Sequence, residues 1–392
     1  MRRGRAIVIL GLCLLLPPQA GARPGVAAAP PETAVMRCVR ERAESAGFSG
    51  IVSIAHRGRP AEILTAGRIA GEGSRAIAPE TRFNLASASK MFTAVAVAQL
   101  VDSGRVRLDD PIGRFVEGLQ PEAAAVTVRQ LLTHSSGLGN FFTPHNFEAV
   151  MRARTATDLL PLIASDKPAF PPGSRVSYSN SGFVLLGVMI ERVSGKSYGD
   201  YLEDRIFRPA GMRSTGLDPR PLATLAVGMT GRAPGQGPGR DGAAGTTAGV
   251  PPGPVVLRPA PGATQGFGSP AGGLFSTAAD MHRFLKALSE GRLASPAMTA
   301  AMTSPQVQVA PATATGPARS YGFGFGAGAF EGRRWFGHNG GNLGANVEIA
   351  AFPDDGRSIV VLSNRDPPAA TELFRYARGL IAKPGPGGCG EA

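Results

Sequence analysis

A serine and a lysine three positions apart could do chemistry in this chain. They lie in Phe83-Asn84-Leu85-Ala86-Ser87-Ala88-Ser89-Lys90-Met91-Phe92-Thr93-Ala94, at the start of a predicted helix that is apolar nearly all round. Helical spacing of i and i+3 puts the two side chains on one face, with Cβ atoms roughly 5–6 Å apart. The N–H groups of a first helical turn favour negative charge at Ser87. A buried ammonium is costly, so Lys90 needs a lowered pKa or a satisfied hydrogen-bond network, and a lysine in that state can activate a serine. A capping serine with a surface lysine would give the same letters, so the pair needs company.

Two further constellations supply it. Val176-Ser177-Tyr178-Ser179-Asn180-Ser181-Gly182 offers a phenol that can shuttle a proton and an amide that can hold an acyl side chain, on a loop before a helix. Phe336-Gly337-His338-Asn339-Gly340-Gly341 sits at the end of a predicted strand, where glycines let a substrate backbone approach closely. Read singly, the second could be a loop tyrosine with a capping asparagine, and the third a glycine-rich strand end with an incidental histidine.

Together and in this order, the three resemble the serine β-lactamase and penicillin-binding-protein superfamily, whose pattern is Ser-x-x-Lys, then Ser-Asp-Asn or Tyr-x-Asn, then Lys-Thr-Gly or a variant. Leu131-Leu132-Thr133-His134-Ser135-Ser136-Gly137-Leu138, Gly272 to Met281 and Tyr321-Gly322-Phe323-Gly324-Phe325 also match segments common there. The Tyr-x-Asn form points to the branch holding class C β-lactamases, D-Ala-D-Ala carboxypeptidases, D-aminopeptidases and β-lactamase-like esterases. The resemblance implies that Ser87 attacks the carbonyl, that Lys90 and Tyr178 move its proton, and that Asn180 orients the substrate. It gives the oxyanion hole to the backbone N–H groups of Ser87 and Gly341. His338, Asn339 and Gly340 fall in the substrate-binding motif, with His338 where the pattern has lysine and Asn339 where it has a hydroxyl. An unperturbed histidine is roughly half charged or less at neutral pH, so both departures weaken the case for an efficient β-lactamase. No catalytic role is assigned to His134, which is taken as structural.

The implied activity is an exported serine hydrolase working through an acyl-enzyme on a D-amino-acid peptide, a β-lactam or a small ester. Alternatives are a family VIII-type carboxylesterase and, from another class, an inactive binding or sensor protein that keeps the fold. No Gly-x-Ser-x-Gly elbow supports an α/β-hydrolase.

The elements that would position these groups form an α+β fold. A helix over 32–46 and strands over 50–56 and 61–69 open the chain. Strands over 333–337, 346–352 and 358–363 and a helix over 373–382 close it. The stretch between is mostly helical by pattern, with helices over 87–101, 128–132, 181–193 and 198–206. The simplest assembly is one antiparallel sheet built from both chain ends and flanked by helices, with an inserted mainly helical subdomain, about 90–230. Residues 231–266, rich in Gly, Pro, Ala and Thr, read as a long loop.

Arg2, Arg3 and Arg5, the apolar run Ala6–Leu16 and Ala20-Gly21-Ala22 read as a signal peptide over 1–22. Its removal would lower the formal charge from +12 to +9 and leave a hydrolase domain over 23–385 with a flexible tail, 386–392. A periplasmic or secreted location without a stable membrane anchor follows. The basic residues are scattered and almost all arginine, which argues against nucleic acid and leaves a small molecule or peptide as partner. Neither metal nor organic cofactor is called for. Beyond the leader the cysteines are Cys38 and Cys389. A bridge and two unpaired thiols both remain open, and the expected side-by-side packing of the first and last helices favours the bridge.

Overall fold

Alternating apolar residues at the two ends of the chain make strands whose opposite faces must each find a cover, and that requirement builds the molecule. The computed structural model describes residues 32–232, 256–264, 267–311 and 319–383, together with Cys389. The leader, the tail apart from Cys389, and most of the Gly/Pro-rich loop lie outside the described residues. Within them, eight strands form one antiparallel sheet: β1 (Gly50–His56), β2 (Glu62–Ala66), β3 (Val307–Ala310), β4 (Arg319–Tyr321), β5 (Gly326–Phe330), β6 (Arg333–Asn342), β7 (Ala345–Phe352) and β8 (Arg357–Ser363). The spatial order is β2-β1-β8-β7-β6-β5-β4-β3, so β1 from the start of the chain lies beside β8 from its end.

One face of the sheet carries helix α1 (Ala34–Ser45) and the closing helix α5 (Ala369–Ala382), which bury Val39, Leu373 and Phe374 against Val52, Val361 and Phe352. Cys38 of α1 is disulfide-bonded to Cys389, with Cα atoms 5.1 Å apart. The other face carries α2 (Lys90–Asp102), α3 (Asn180–Ser194) and α4 (Ala278–Ser289) in one continuous core with Ile51, Phe336, Val347 and Leu362. The inserted helices therefore share the core of the sheet. Ten of the thirteen residues of α2 are buried, as its unbroken apolar surface demands. Ser179 caps α3, its hydroxyl accepting from the Gly182 N–H, and Gly195 ends that helix at φ 72°.

Three features differ from the sequence expectation. Strands β3, β4 and β5 extend the sheet where none was expected, because the first two are only four and three residues long and glycines and alanines hide the alternation in β5. The helix expected over 198–206 is α-helical only over Tyr198–Leu202 and then widens into a π-helical turn, Glu203–Phe207. The strand expected to stop at Gly337 runs on to Asn342, so the whole His-Asn-Gly-Gly segment lies in β6. Glycine weakens a strand by propensity, and here close packing against a neighbouring backbone overrides that cost.

Candidate active site

Ser87 lies in a 3₁₀ turn, Ala86–Ser89, that leads directly into α2. Ala86 has φ 45°, a conformation that alanine rarely adopts. Its neighbours hold it there. The Asn84 Oδ1 accepts from the Ala86 N–H at 2.8 Å, and the Ala86 carbonyl accepts from both the Gly273 N–H and the Ser89 hydroxyl. Strained backbone fixed on every side is common where a reactive group must be aimed. Ser87 itself stays partly exposed while Lys90 below it is completely buried.

The Lys90 amine has three polar neighbours: the Asn180 Oδ1 at 2.7 Å, the Ala271 carbonyl oxygen, and the Ser87 Oγ at 3.4 Å. The rings of Tyr178 and Phe183 flank it, with centroids 4.8 Å and 5.4 Å from Nζ. No carboxylate is among these contacts. Burial pushes the Lys90 pKa well below the ordinary lysine value. A neutral amine has two hydrogens and one lone pair. The two hydrogens are taken by the Ala271 carbonyl oxygen and the Asn180 Oδ1, atoms that can only accept, so the lone pair is left for the Ser87 hydroxyl.

Tyr178 closes the pocket from the loop before α3. Nearly half of the residue is exposed (48%), yet its hydroxyl is desolvated beside Ser87, and this raises its pKa above that of free tyrosine, with the Ser87 hydroxyl opposing the shift. The phenol therefore stays protonated at neutral pH. His134 holds this loop at three points. Its carbonyl accepts from the Ser177 N–H at 2.8 Å, its Nδ1 accepts from the Ser179 N–H at 3.1 Å, and its ring stacks on Tyr178 at 4.3 Å. Like Ala86, His134 has a positive φ, 56°.

From the sheet side, β6 passes against the nucleophile's turn. A Cβ at Gly340 would sit 2.3 Å from the Leu85 carbonyl oxygen and 3.0 Å from the Ala86 Cβ, so only glycine fits. His338, on the same face two residues earlier, is buried and hydrogen-bonded to the Tyr321 hydroxyl at 2.8 Å. Burial takes the His338 pKa down to about 4, and Lys90 would push it the same way whenever the amine is protonated. Asn339 is placed differently. It stands across from Glu348 in the register, and Glu348 accepts a hydrogen bond from Thr371 of α5, so Asn339 alternates onto the far face. Among the described residues, His338–Asn342 pair with β7 alone, because the β5 pairing ends at Gly337.

The structure therefore brings Ser87, Lys90, Tyr178, Asn180, His338 and Gly340 to one place, sets Gly341 next to Gly340 in the same strand, and leaves Asn339 on the opposite face. Sequence reasoning missed three participants: the Ala271 carbonyl, Asn140, whose Oδ1 accepts from the Asn180 Nδ2 at 2.9 Å, and Tyr321. It also gave His134 no part in the site. Ala271 adjoins the Gly272–Met281 segment and Tyr321 begins its own, but only the fold shows that both reach the lysine pocket. Among the described residues no group of His, Cys, Asp or Glu is arranged to hold a metal.

The family model described as Beta-lactamase matches residues 35–382. The chain belongs to that family. Among other members, it is 36% identical over 153 residues to "Penicillin-binding protein 4*" of Bacillus subtilis, a match covering 38% of this chain and about a third (33%) of that relative's length. The β-lactamase-type fold recurs in a penicillin-binding protein from Bacillus halodurans (TM-score 0.74, 26% identity, 87% of this chain and 98% of the other). It recurs also in a D-amino acid amidase from Ochrobactrum anthropi SV3 (TM-score 0.71, 25% identity, 89% of this chain and 98% of the other). No helix among the described residues is long and apolar enough to cross a membrane.

Proposed function

We propose that the protein is a serine hydrolase that cleaves an amide or ester through an acyl-enzyme on Ser87. The observation that carries this reading is the hydrogen-bond pattern of Lys90. Its two pure acceptors leave the lone pair of the neutral amine for the Ser87 hydroxyl, and burial pushes the amine toward that neutral form. Lys90 takes the Ser87 proton as Oγ attacks the substrate carbonyl. The Ser87 and Gly341 N–H groups receive the oxyanion. Tyr178, protonated because its raised pKa disfavours phenolate, gives a proton to the leaving group and recovers one through Lys90. Asn180 keeps one amide hydrogen free of Asn140 and offers it to the acyl side. Water on the acyl-enzyme then reverses these steps.

The structural neighbour named as a D-amino acid amidase supports an amide of a D-amino acid as one substrate, with esters close behind. The leader over 1–22 and the Cys38–Cys389 bridge support an exported protein, since such bridges persist in oxidising compartments. The Tyr-x-Asn motif supports placement with the class C-like branch. The test is a turnover panel on purified protein: a D-amino acid amide, a p-nitrophenyl short-chain ester, a D-Ala-D-Ala peptide and a chromogenic cephalosporin, each beside Ser87→Ala. A fluorophosphonate probe is run in parallel. Amide or ester turnover that vanishes in the variant is the expected result. Wild-type protein that neither turns over any substrate nor labels at Ser87 would overturn the reading in favour of a silent binding protein.

A further inference from the structure

The hydrogen bonds behind the site fix the protonation of both histidines by geometry alone. At one end, the Ser179 backbone N–H donates to His134 Nδ1 at 3.1 Å, so that nitrogen carries no hydrogen. His134 Nε2–H then donates to the Tyr321 hydroxyl, 3.3 Å away, and Tyr321 donates its one proton to His338 Nε2 at 2.8 Å. At the other end, His338 Nδ1–H donates to the Asn339 carbonyl, which can only accept. Every link has one proton, and both rings are neutral.

Charging His338 breaks the chain. Its Nε2–H would face the Tyr321 oxygen, and the displaced tyrosine proton would need a new acceptor. His134 Nε2 could supply one only by moving its own hydrogen to Nδ1, against the Ser179 N–H. Either way a proton deep in the protein points at no acceptor, a costly arrangement. The position where the family resemblance places a lysine therefore carries no charge.

Among the described residues, no side chain packed around the cluster replaces that charge. The side chains that hydrogen-bond or stack on the Ser87–Lys90–Tyr178 cluster are Asn180, Asn140, Phe183, His134, Tyr321 and His338, none of them ionised in this arrangement. We propose that this site selects substrates bearing no carboxylate beside the scissile bond, and that His134 and Tyr321 are positioning residues that enforce the choice by holding His338 neutral. The inference rests on the acyl-enzyme reading above and names its substrate class: neutral amides and esters, in preference to carboxylate-bearing β-lactams and C-terminal D-peptides. The buried, desolvated setting, with pKa values lowered at both histidines, agrees with it.

The experiment compares two N-acetyl-D-alanine aryl esters that differ only in the leaving group, 3-carbamoylphenyl against 3-carboxyphenyl, with wild-type protein and His338→Lys. Wild type should favour the neutral ester in kcat/KM by about tenfold or more, the scale of one lost charged hydrogen bond. His338→Lys should narrow or reverse that ratio. A wild-type ratio within about twofold of unity, on a scale where that charged hydrogen bond gives tenfold, overturns the inference. So does failure to cleave either ester while fluorophosphonate still labels Ser87, because an activated neutral ester is the substrate named. Absence of labelling removes the acyl-enzyme reading itself, and this inference with it. Should the lysine variant not fold, ¹⁵N–¹H correlation on the wild type at pH 7 tests the same point independently. His338 must show the Nδ1–H tautomer and His134 the Nε2–H tautomer, and a doubly protonated His338 ends the proposal.

Discussion

Two places among the described residues pair a serine hydroxyl with a buried base, and they differ in what they can do. In the first, Ser87 meets Lys90. In the second, His282 of α4 lies against the sheet with Nδ1 2.8 Å from the Ser358 Oγ and Nε2 2.9 Å from the Ser53 Oγ. Burial lowers the pKa of both bases. The differences lie in access and surroundings. Ser53 is wholly buried beneath a helix, whereas Ser87 is partly open and held on a strained turn. Valence does not separate the pairs, because a neutral His282 also turns one lone pair to a serine hydroxyl; Ser87 differs in having Tyr178, Asn180 and Gly340 around it. A serine near a base is thus a weak sign of function, and a partly open hydroxyl on a strained turn beside further polar groups is a stronger one.

The largest effect expected breaks the comparison at its nucleophiles. Ser87→Ala should lower kcat by three or more orders of magnitude, as losing a catalytic nucleophile does, with the near-UV circular dichroism unchanged. Ser53→Ala should leave kcat within about twofold, since Ser53 serves packing, and should cost stability on the order of 1–2 kcal/mol. Equal losses of activity in the two variants would mean the wrong serine has been chosen.

Next comes the base. Lys90→Met fills nearly the same volume with no amine, so the fold should survive while kcat/KM falls about 10²- to 10⁴-fold, the usual worth of a general base. The acid limb of the wild-type pH–rate profile should report a pKa well below that of free lysine and should be absent from the variant's residual activity. A variant that keeps the same limb would assign that proton elsewhere.

A smaller effect tests the sheet side. Gly340→Ala puts a methyl 2.3 Å from the Leu85 carbonyl oxygen, so the turn or the strand must move. Overpacking of that kind costs about 1–3 kcal/mol, and the shift should cost at least tenfold in kcat/KM because it displaces Ser87. Asn339→Ala, one residue away on the far face, should change kcat/KM by less than about threefold, which on the usual scale of neutral hydrogen bonds excludes a substrate contact. If Asn339 proves the more damaging change, its side chain reaches the substrate in spite of the register.

Much of the molecule is legible in its residues, for reasons particular to each. The three motifs carry Ser87, Lys90, Tyr178, Asn180 and His338 because their chemistry is written in side-chain type and spacing. The strands β1, β7 and β8 are legible because Val, Ile and Leu cluster in short runs of strand length. The site's supports are not. The Ala271 carbonyl is a backbone atom, and no letter announces it. His134 looks inert in the sequence because its role depends on a positive φ and on three contacts made by the distant loop Ser177–Ser179. Tyr321 ties β4 to the site through a strand of three residues, too short to show a period of two. Asn339 is misplaced when its motif is read as a unit, because a strand sends its alternate members to opposite faces.

The smallest effect concerns the inert pair and sharpens the contrast in another variable. The native His282 pKa is about 4, below the 6.5 of an unfolded histidine. Between those values the unfolded chain binds a proton that the native state refuses, so this group makes stability fall as pH drops from about 6.5 to about 4 and has no effect on the slope above that window. The full shift would be worth at most about 3 kcal/mol. His282→Gln removes the titration, so its urea midpoint should fall less than that of wild type between pH 7 and pH 4.5, whatever its level at pH 7. Other acidic and basic groups titrate in both proteins and cancel in the difference. Turnover at pH 7 should differ little between them, because His282 touches no residue of the site. Parallel stability lines would mean that His282 is protonated in the native state, with at least one of its serine partners turned to accept, and the two serine–base pairs would then differ in charge as well as in access.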